Sequence, residues 1–409
     1  MMLLKIAWRN LWRNKRRSII ILTSVAVGVA CIMLNDSLGR GMMEQMLENQ
    51  IRSNVSHIQI HKAGFNDNKI IQSYVPNHQE VENILENSSF VKFYSKRVVS
   101  AGLLSSANAS SGIVLMGIES DKEKNITSIN SKIVEGRYLS GKSNEIVIGK
   151  EMAEKLEVEL GDKVVAVASS LDGSVSTELF RVVGIYKSSS SAFDKIYAYI
   201  SLSNAQKMLN LQDNFSEFAI IVEKPKATDN YKDTLFKKIY SKGFEKEIEI
   251  LTYKDLLPLM IMYIDLYDQM IIVFYMIIII AILFGVINVM LMSVYERIRE
   301  IGVLMSIGMK SRRIFAMILL EAFVLGLVGS IMGFGLGFLA FIPLSNGLDL
   351  SIFARSLASM GIDTVIYPII NFNVVLNSIL LMPLSTVVGA CYPALRAIKL
   401  QPTDAMRHI

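Results

Sequence analysis

The chain has 409 residues, 52% of them hydrophobic and 19% charged. A mixture this apolar, with positive mean hydropathy, argues against an ordinary soluble protein, and the charge argues against a uniform bundle immersed in lipid. It fits membrane helices joined to a folded aqueous domain. The net charge of +5 hides an asymmetry: residues 35–269 hold 27 Lys/Arg against 31 Asp/Glu, and the remainder 15 against 6. The basic excess therefore belongs to the membrane part. There it reports topology and contact with membrane lipids, and no nucleic-acid partner is expected. Cys31 and Cys391 both lie in or beside apolar runs, so no disulfide framework or zinc spacing is available.

Residues 1–17 carry Lys5, Arg9, Arg13, Lys15, Arg16 and Arg17 without an acid, and Trp8 and Trp12 stand one turn apart. This predicts a cytoplasmic interfacial helix. A basic start before an apolar run also fits a signal peptide, and Gly28-Val-Ala-Cys31 loosely matches a lipoprotein cleavage site. The usual leucine three residues before the cysteine is absent, and three further apolar spans follow. Residues 18–34 are thus read as a retained first membrane helix. Leu38, Met42 and Met46 continue a helical apolar stripe, which predicts a stalk helix over 35–54.

Residues 55–250 read as an extracytoplasmic α+β domain. Strand-like runs fall at 55–61, 98–104, 113–118, 146–148, 164–168, 180–185 and 198–200, and helical ones at 79–86, 203–209 and 231–240. Asp172-Gly173 marks a hairpin turn. The alternation suggests a split βαβ arrangement in two subdomains. Gly136 to Ser143 satisfies the P-loop pattern literally, but a working P-loop opens a helix, and here the strand-like Ile146-Val-Ile follows. It is read as a coincidental turn. His57, His61, His78 and His408 lack metal-ligand spacing, and no serine sits in a nucleophile-elbow context.

Leu256, Leu257, Met260, Ile261, Ile264 and Tyr267 form a second apolar stripe, predicting a stalk helix over 251–270 that pairs with the first. Residues 271–294 are the second membrane helix, 314–341 the third and 373–390 the fourth. The third holds Gly329, Gly333 and Gly337 at the spacing that clears a groove for close helix packing. It also holds Glu321, too costly to bury alone, for which a cytoplasmic-side Arg or a backbone group is the expected partner. The 342–372 loop has one basic residue, Arg355, and suits the outer side, whereas the 391–409 tail is basic and suits the inner side. The fold class is thus an α-helical membrane protein with four transmembrane helices and an α+β extracytoplasmic domain between helices 1 and 2.

Residues 295–313 are far longer and more charged than a plain turn between membrane helices requires. As a helix they place Ile301, Leu304, Met305 and Gly308 on one face, with Arg297 and Glu300 toward another. Such a segment lies on the membrane surface or docks in a partner's groove.

The run Glu296-Arg-Ile-Arg-Glu-Ile-Gly-Val-Leu-Met-Ser-Ile-Gly308, followed by a membrane helix bearing Glu321, closely resembles the signature of FtsX-like permeases. These are the membrane subunits of ABC transporters of the MacB and LolC/LolE kind. Glu135-Gly-Arg137, Ile146-Val-Ile-Gly149, Leu160-Gly-Asp-Lys-Val164 and the closing Pro393, Arg396, Pro402 and Arg407 resemble the same family. The resemblance implies a MacB-like porter and small subdomain in the aqueous domain. It also implies a coupling helix whose Glu296, Arg297, Arg299, Glu300, Ile301, Gly302, Leu304 and Gly308 engage an ABC ATPase subunit. Two permeases, identical or paralogous, would join two ATPase subunits that bind ATP and Mg. This chain would be non-catalytic and without a cofactor or metal, its ATPase supplied by another polypeptide, its action a mechanotransmission.

Val55–His61, Leu251–Pro258 and the length look most like LolC/LolE, which release lipoproteins from the inner membrane to a periplasmic lipoprotein chaperone. The hairpin around Asp172-Gly173 is short and lacks the proline of the LolC docking loop, which favours a LolE-like role. Met42, Met43, Met46, Met260, Ile261 and Ile264 are candidates for a substrate cleft between the stalks, and plain packing explains them as readily. A MacB-like efflux permease for peptides or antibiotics and an FtsX-like regulator of a cell-wall hydrolase are the alternatives.

Overall fold

Among the described residues, four helices are long and apolar enough to cross a membrane: Lys15–Gln50, continued by a π turn over Ile51–Val55, then Pro258–Glu296, Ser311–Leu344 and Phe372–Ile398. The computed structural model describes residues 15–244 and 247–399. Trp8, Trp12, Pro402 and Arg407 lie outside the described residues, as do most of the interfacial helix and the tail. The described chain forms two units. One holds the residues up to 43, 263–349 and those from 365 onward; the other holds Glu44–Met262 and Leu350–Thr364.

In the membrane unit the four helices bury one another's apolar side chains. Ile21, Val25, Val29 and Ile32 of the first meet a core with Ile282 and Val286 of the second, Ile318 and Leu325 of the third and Met382 and Ala390 of the fourth. In lipid such association relies on close packing and interhelical hydrogen bonds, because hydrocarbon offers no hydrophobic drive. Thr386 Oγ1 supplies one bond, donating to the Ala322 carbonyl at 3.0 Å. The first and second helices stay joined past the apolar stretch. Tyr267 Oη donates to the carbonyls of Asn35 and Asp36, each at 3.4 Å, and Arg40 bridges Asp36 and Asp268, each at 3.1 Å. Gly39 is where the tyrosine ring lies, since a Cβ there would fall within 2.2 Å of its hydroxyl.

Among its described residues the aqueous unit has ten strands: β1 (Ile58–Lys62), β2 (Val91–Ser105), β3 (Ser110–Ile118), β4 (Ile133–Gly136), β5 (Glu145–Gly149), β6 (Lys163–Ser169), β7 (Val175–Tyr186), β8 (Tyr197–Ser201), β9 (Glu217–Val222) and β10 (Ile248–Thr252). The order β10-β1-β9-β2 is an antiparallel split-βαβ sheet. Helices His78–Glu86 and Thr228–Tyr240 cover one face, burying Val81, Leu85, Leu235 and Ile239 against Ile58, Ile60, Phe218 and Ile220. The other half is a closed ring, β2-β3-β8-β5-β7-β6 and back to β2. β2 belongs to both halves, since its first residues pair with β9 and its last with β3 and β6. Closure leaves the ring with no free strand edge.

The segment Leu350–Thr364 belongs to the aqueous unit. Asp363 accepts from Asn49 Nδ2 at 2.8 Å and from Ser189 Oγ, and Lys132 Nζ stands 3.7 Å away.

Candidate functional site

The second long helix ends at Glu296, and Arg297 leaves helical geometry before a short helix, Ile298–Ser306, begins. Gly308 closes that helix with φ +92°, and the amides of Ile307, Gly308 and Met309 return to its last carbonyls. Such a left-handed stop strongly favours glycine. The third long helix then starts at Ser311.

The short helix turns Ile298, Ile301 and Gly302 into the bundle, while Glu296, Arg299, Glu300, Val303, Ile307 and Gly308 are exposed and Leu304 and Met305 half-buried. The expected faces need correction on two counts. Arg297 is buried and points inward, and the apolar side chains open to solvent are Val303 and Ile307, the latter 79% exposed. The reason is Glu321. Its carboxylate, on the third helix, lies 3.3 Å from Arg297 Nη1 and 3.5 Å from Arg17 Nη2, and Arg17 also faces Glu296 at 3.5 Å. A buried carboxylate holds its charge only with such partners. The carboxylate thereby ties the foot of the first helix and the residue before the short helix to the third helix. A pocket of about 110 Å³ beside it is lined by Met290, Ser293, Arg297, Glu300, Leu304 and Glu321.

Of the five glycines of the third helix, Gly329, Gly333 and Gly337 face the first. A Cβ on Gly329 would meet Val25, one on Gly333 Ala26 and Val29, and one on Gly337 Met33 and Ala30. Among the cleft candidates Met260 is buried, while Met42, Met43, Met46, Ile261 and Ile264 are half-buried. That state is equally that of residues packing one helix on another.

The literal P-loop is occupied by the chain itself. Gly136 has φ +75°, its Cα lies where a Cβ would strike the Val183 carbonyl, and the following loop wraps the carboxylate of Glu145. Arg137 Nη2 reaches Glu145 at 2.5 Å, and the Ser140 amide and hydroxyl donate to it at 2.8 and 2.9 Å. Burial raises the Glu145 pKa, but these bonds outweigh it and hold the carboxyl below its ordinary value. β5 starts at Glu145, so no helix N-terminus faces the loop. In the hairpin turn, Asp172 accepts from the Ser174 amide at 3.0 Å and from the hydroxyls of Ser170 and Ser174, which lowers its pKa to about 2. Among the described residues no group of His, Cys, Asp and Glu is arranged to hold a metal ion.

Profiles of two families match the chain: the MacB-like periplasmic core domain over residues 18–235 and the FtsX-like permease C-terminal domain over residues 272–402. The chain is 25% identical to the ABC transporter permease YvrN of Bacillus subtilis, covering 99% of both chains. It is 23% identical to the lipoprotein-releasing system transmembrane protein LolE of Haemophilus influenzae, covering 98% of both. It is also 23% identical to the macrolide export ATP-binding/permease protein MacB of Agrobacterium fabrum, where 98% of this chain spans 60% of the relative.

Proposed function

The chain belongs to the MacB- and FtsX-like ABC transporter permeases, and from that membership we propose a lipoprotein-releasing role. In this reading it is the membrane subunit of an ATP-driven transporter that moves lipoproteins from the inner membrane toward the outer membrane. It lies in the inner membrane with both ends cytoplasmic and the α+β domain periplasmic. The ATP is hydrolysed by a separate ATPase subunit present in two copies, with a second permease, identical or paralogous, completing the assembly. The coupling segment carries the reading: an exposed surface of Arg299, Glu300, Val303 and Ile307 for the ATPase, mounted on a buried carboxylate shared with the first helix. A push on that surface reaches both long helices that bracket the bundle core, which is what a mechanical transmitter requires. The full-length likeness to LolE supports lipoprotein cargo.

The likeness to MacB supports a second reading, efflux of peptides or antibiotics through a periplasmic adaptor. Tagged chain isolated from its native host, with bound partners identified by mass spectrometry, separates the two. A separate ATPase, a second permease and acylated lipoproteins support release. An ATPase with an adaptor and no acylated cargo overturns it in favour of efflux. A cell-wall hydrolase in their place would make the chain an FtsX-like regulator.

A further inference from the structure

A helix leaves its last four carbonyls without intrahelical partners, and its C-terminus carries about half a negative charge. The first long helix, with its terminal π turn, ends inside the aqueous unit, and its closing carbonyls are answered there one by one. Ile51 O accepts from the Ser56 amide at 2.9 Å, and Arg52 O from the Ser128 amide at 2.8 Å. Ser53 O accepts from Tyr199 Oη at 3.4 Å, and Asn54 O from Arg97 Nη1. The Asn54 side chain donates to Tyr197 Oη at 3.0 Å. Ser56 then turns the chain sharply at φ +60° into β1.

Arg97 is central to this arrangement. It is fully buried and lies on β2 at the register where that strand leaves the split-βαβ sheet for the closed ring, opposite both Glu217 and Ile118. Its guanidinium uses every edge. Nε and Nη2 reach Glu123 at 3.1 and 2.6 Å, and Nη1 reaches Glu217 at 3.2 Å as well as the helix carbonyl. Gln59 Nε2 donates to the same Glu217 oxygen at 3.4 Å. Burial works against the charge of Arg97, yet the two carboxylates more than offset it and keep its pKa above the ordinary arginine value. Burial likewise pushes Glu217 up against the pull of Arg97. Burying three charges is a costly way to build a core that Met or Leu would fill. What apolar side chains cannot do is bind a helix end to two sheet halves at a fixed angle, which a planar five-donor fork does.

We infer that Arg97 is a positioning residue: it welds the end of the first long helix to both halves of the aqueous domain, so that helix displacement moves the domain as one body. The inference rests on the mechanotransmission reading above. Without the weld, the five-residue π turn becomes a flexible joint that absorbs the stroke.

The test uses the full-length chain, with Cys31 and Cys391 replaced by Ser, in wild-type, R97M and R97K forms. R97K keeps a charge beside Glu123 and Glu217 but has no second arm for the helix carbonyl, and it serves if R97M does not fold. The first readout needs no transport activity: hydrogen exchange at the amides of Ser56 and Ser128 in detergent. Exchange at least about tenfold faster in either variant supports the weld, and unchanged exchange overturns it. The second readout is the assembled transporter. We expect ATP hydrolysis within about twofold of wild type and cargo release down by about tenfold or more. Cysteines placed at Arg52 and Ser128 should restore release when oxidised and lose it again on reduction. Release unaffected by R97M and R97K, or not restored by the cross-link, overturns the inference. A wild-type chain that releases no lipoprotein refutes the proposed function, while the exchange result still decides the weld.

Discussion

Gly333→Ala tests how tightly the third helix is seated on the first. The new Cβ would lie 2.6 Å from the Ala26 carbonyl oxygen, 2.9 Å from Ala26 Cα and 2.8 Å from Val29 Cβ. Two of those atoms are backbone, so no rotamer change relieves the clash and the helices must separate. Overpacking of this kind costs about 1–3 kcal/mol, and contact with backbone argues for the upper part of that range. Alanine recovers about 1 kcal/mol of helix propensity, which leaves a net loss of about 1–2 kcal/mol. Gly335 lies two residues further along the same helix and has nothing within 4 Å of its Cβ position. Gly335→Ala should therefore gain up to about 1 kcal/mol from propensity alone. The pair is compared by titrating a denaturing detergent into mixed micelles and following helicity by circular dichroism. Equal or same-sign shifts for the two variants would refute the packing argument, because the chemistry is identical and only the neighbours differ.

Glu321→Ala removes the carboxylate that Arg17 and Arg297 share and should cost about 3 kcal/mol in the same titration; Glu321→Gln, which keeps the volume and one acceptor, should cost less. Burial lowers the pKa values of His57 and His61 below 6.5, with Glu48 and Glu249 respectively opposing it. The unfolded chain then binds protons first, so stability should fall as pH drops through the ordinary histidine range, and His61→Leu should flatten part of the Tm decline between about pH 7 and 5. Glu145 is held below its ordinary value, so its contribution is complete above that value and is lost as pH falls through the lowered one; Glu145→Gln should remove that acid-limb slope from the Tm profile. Asp363→Ala deletes the acceptor of Asn49 and Ser189, and amides of residues 350–364 should exchange faster while those of β9 do not change.

The membrane helices were legible because apolar runs of that length admit few other solutions; the cost of an isolated charge in lipid called for a partner to Glu321, an arginine or a backbone group, without saying that it would be Arg17 and Arg297. Helix ends were less legible: the first helix runs unbroken from Lys15 to Gln50, and hydropathy does not register where lipid stops and helix continues. The inward turn of Arg297 was missed because helical periodicity sorts residues by face but cannot see a carboxylate on another helix. Arg97 gave no signal at all. It stands in the run Ser-Lys-Arg-Val-Val, where a charged residue beside a lysine reads as an exposed strand end, and both acidic partners are far away in sequence, Glu123 by 26 residues and Glu217 by 120. The membership of residues 350–364 in the aqueous unit was likewise invisible, since it rests on contacts such as Asp363 with Ser189 and Asn49, partners more than 170 positions earlier.

Within the aqueous unit the π turn leads directly into β1, and β10 leads out toward the second long helix; these strands are antiparallel neighbours whose outermost pair is Ile58 with Thr252. Both exits thus lie side by side at one end of a five-pair ladder. Tension that drew the two exits apart would open that ladder from its base, one rung at a time, as a zipper opens, and each rung would yield alone. Tension applied to both exits in the same direction loads no rung. The ladder is therefore indifferent to loads that move both of its ends together, and it would begin to peel if they were driven in opposite directions.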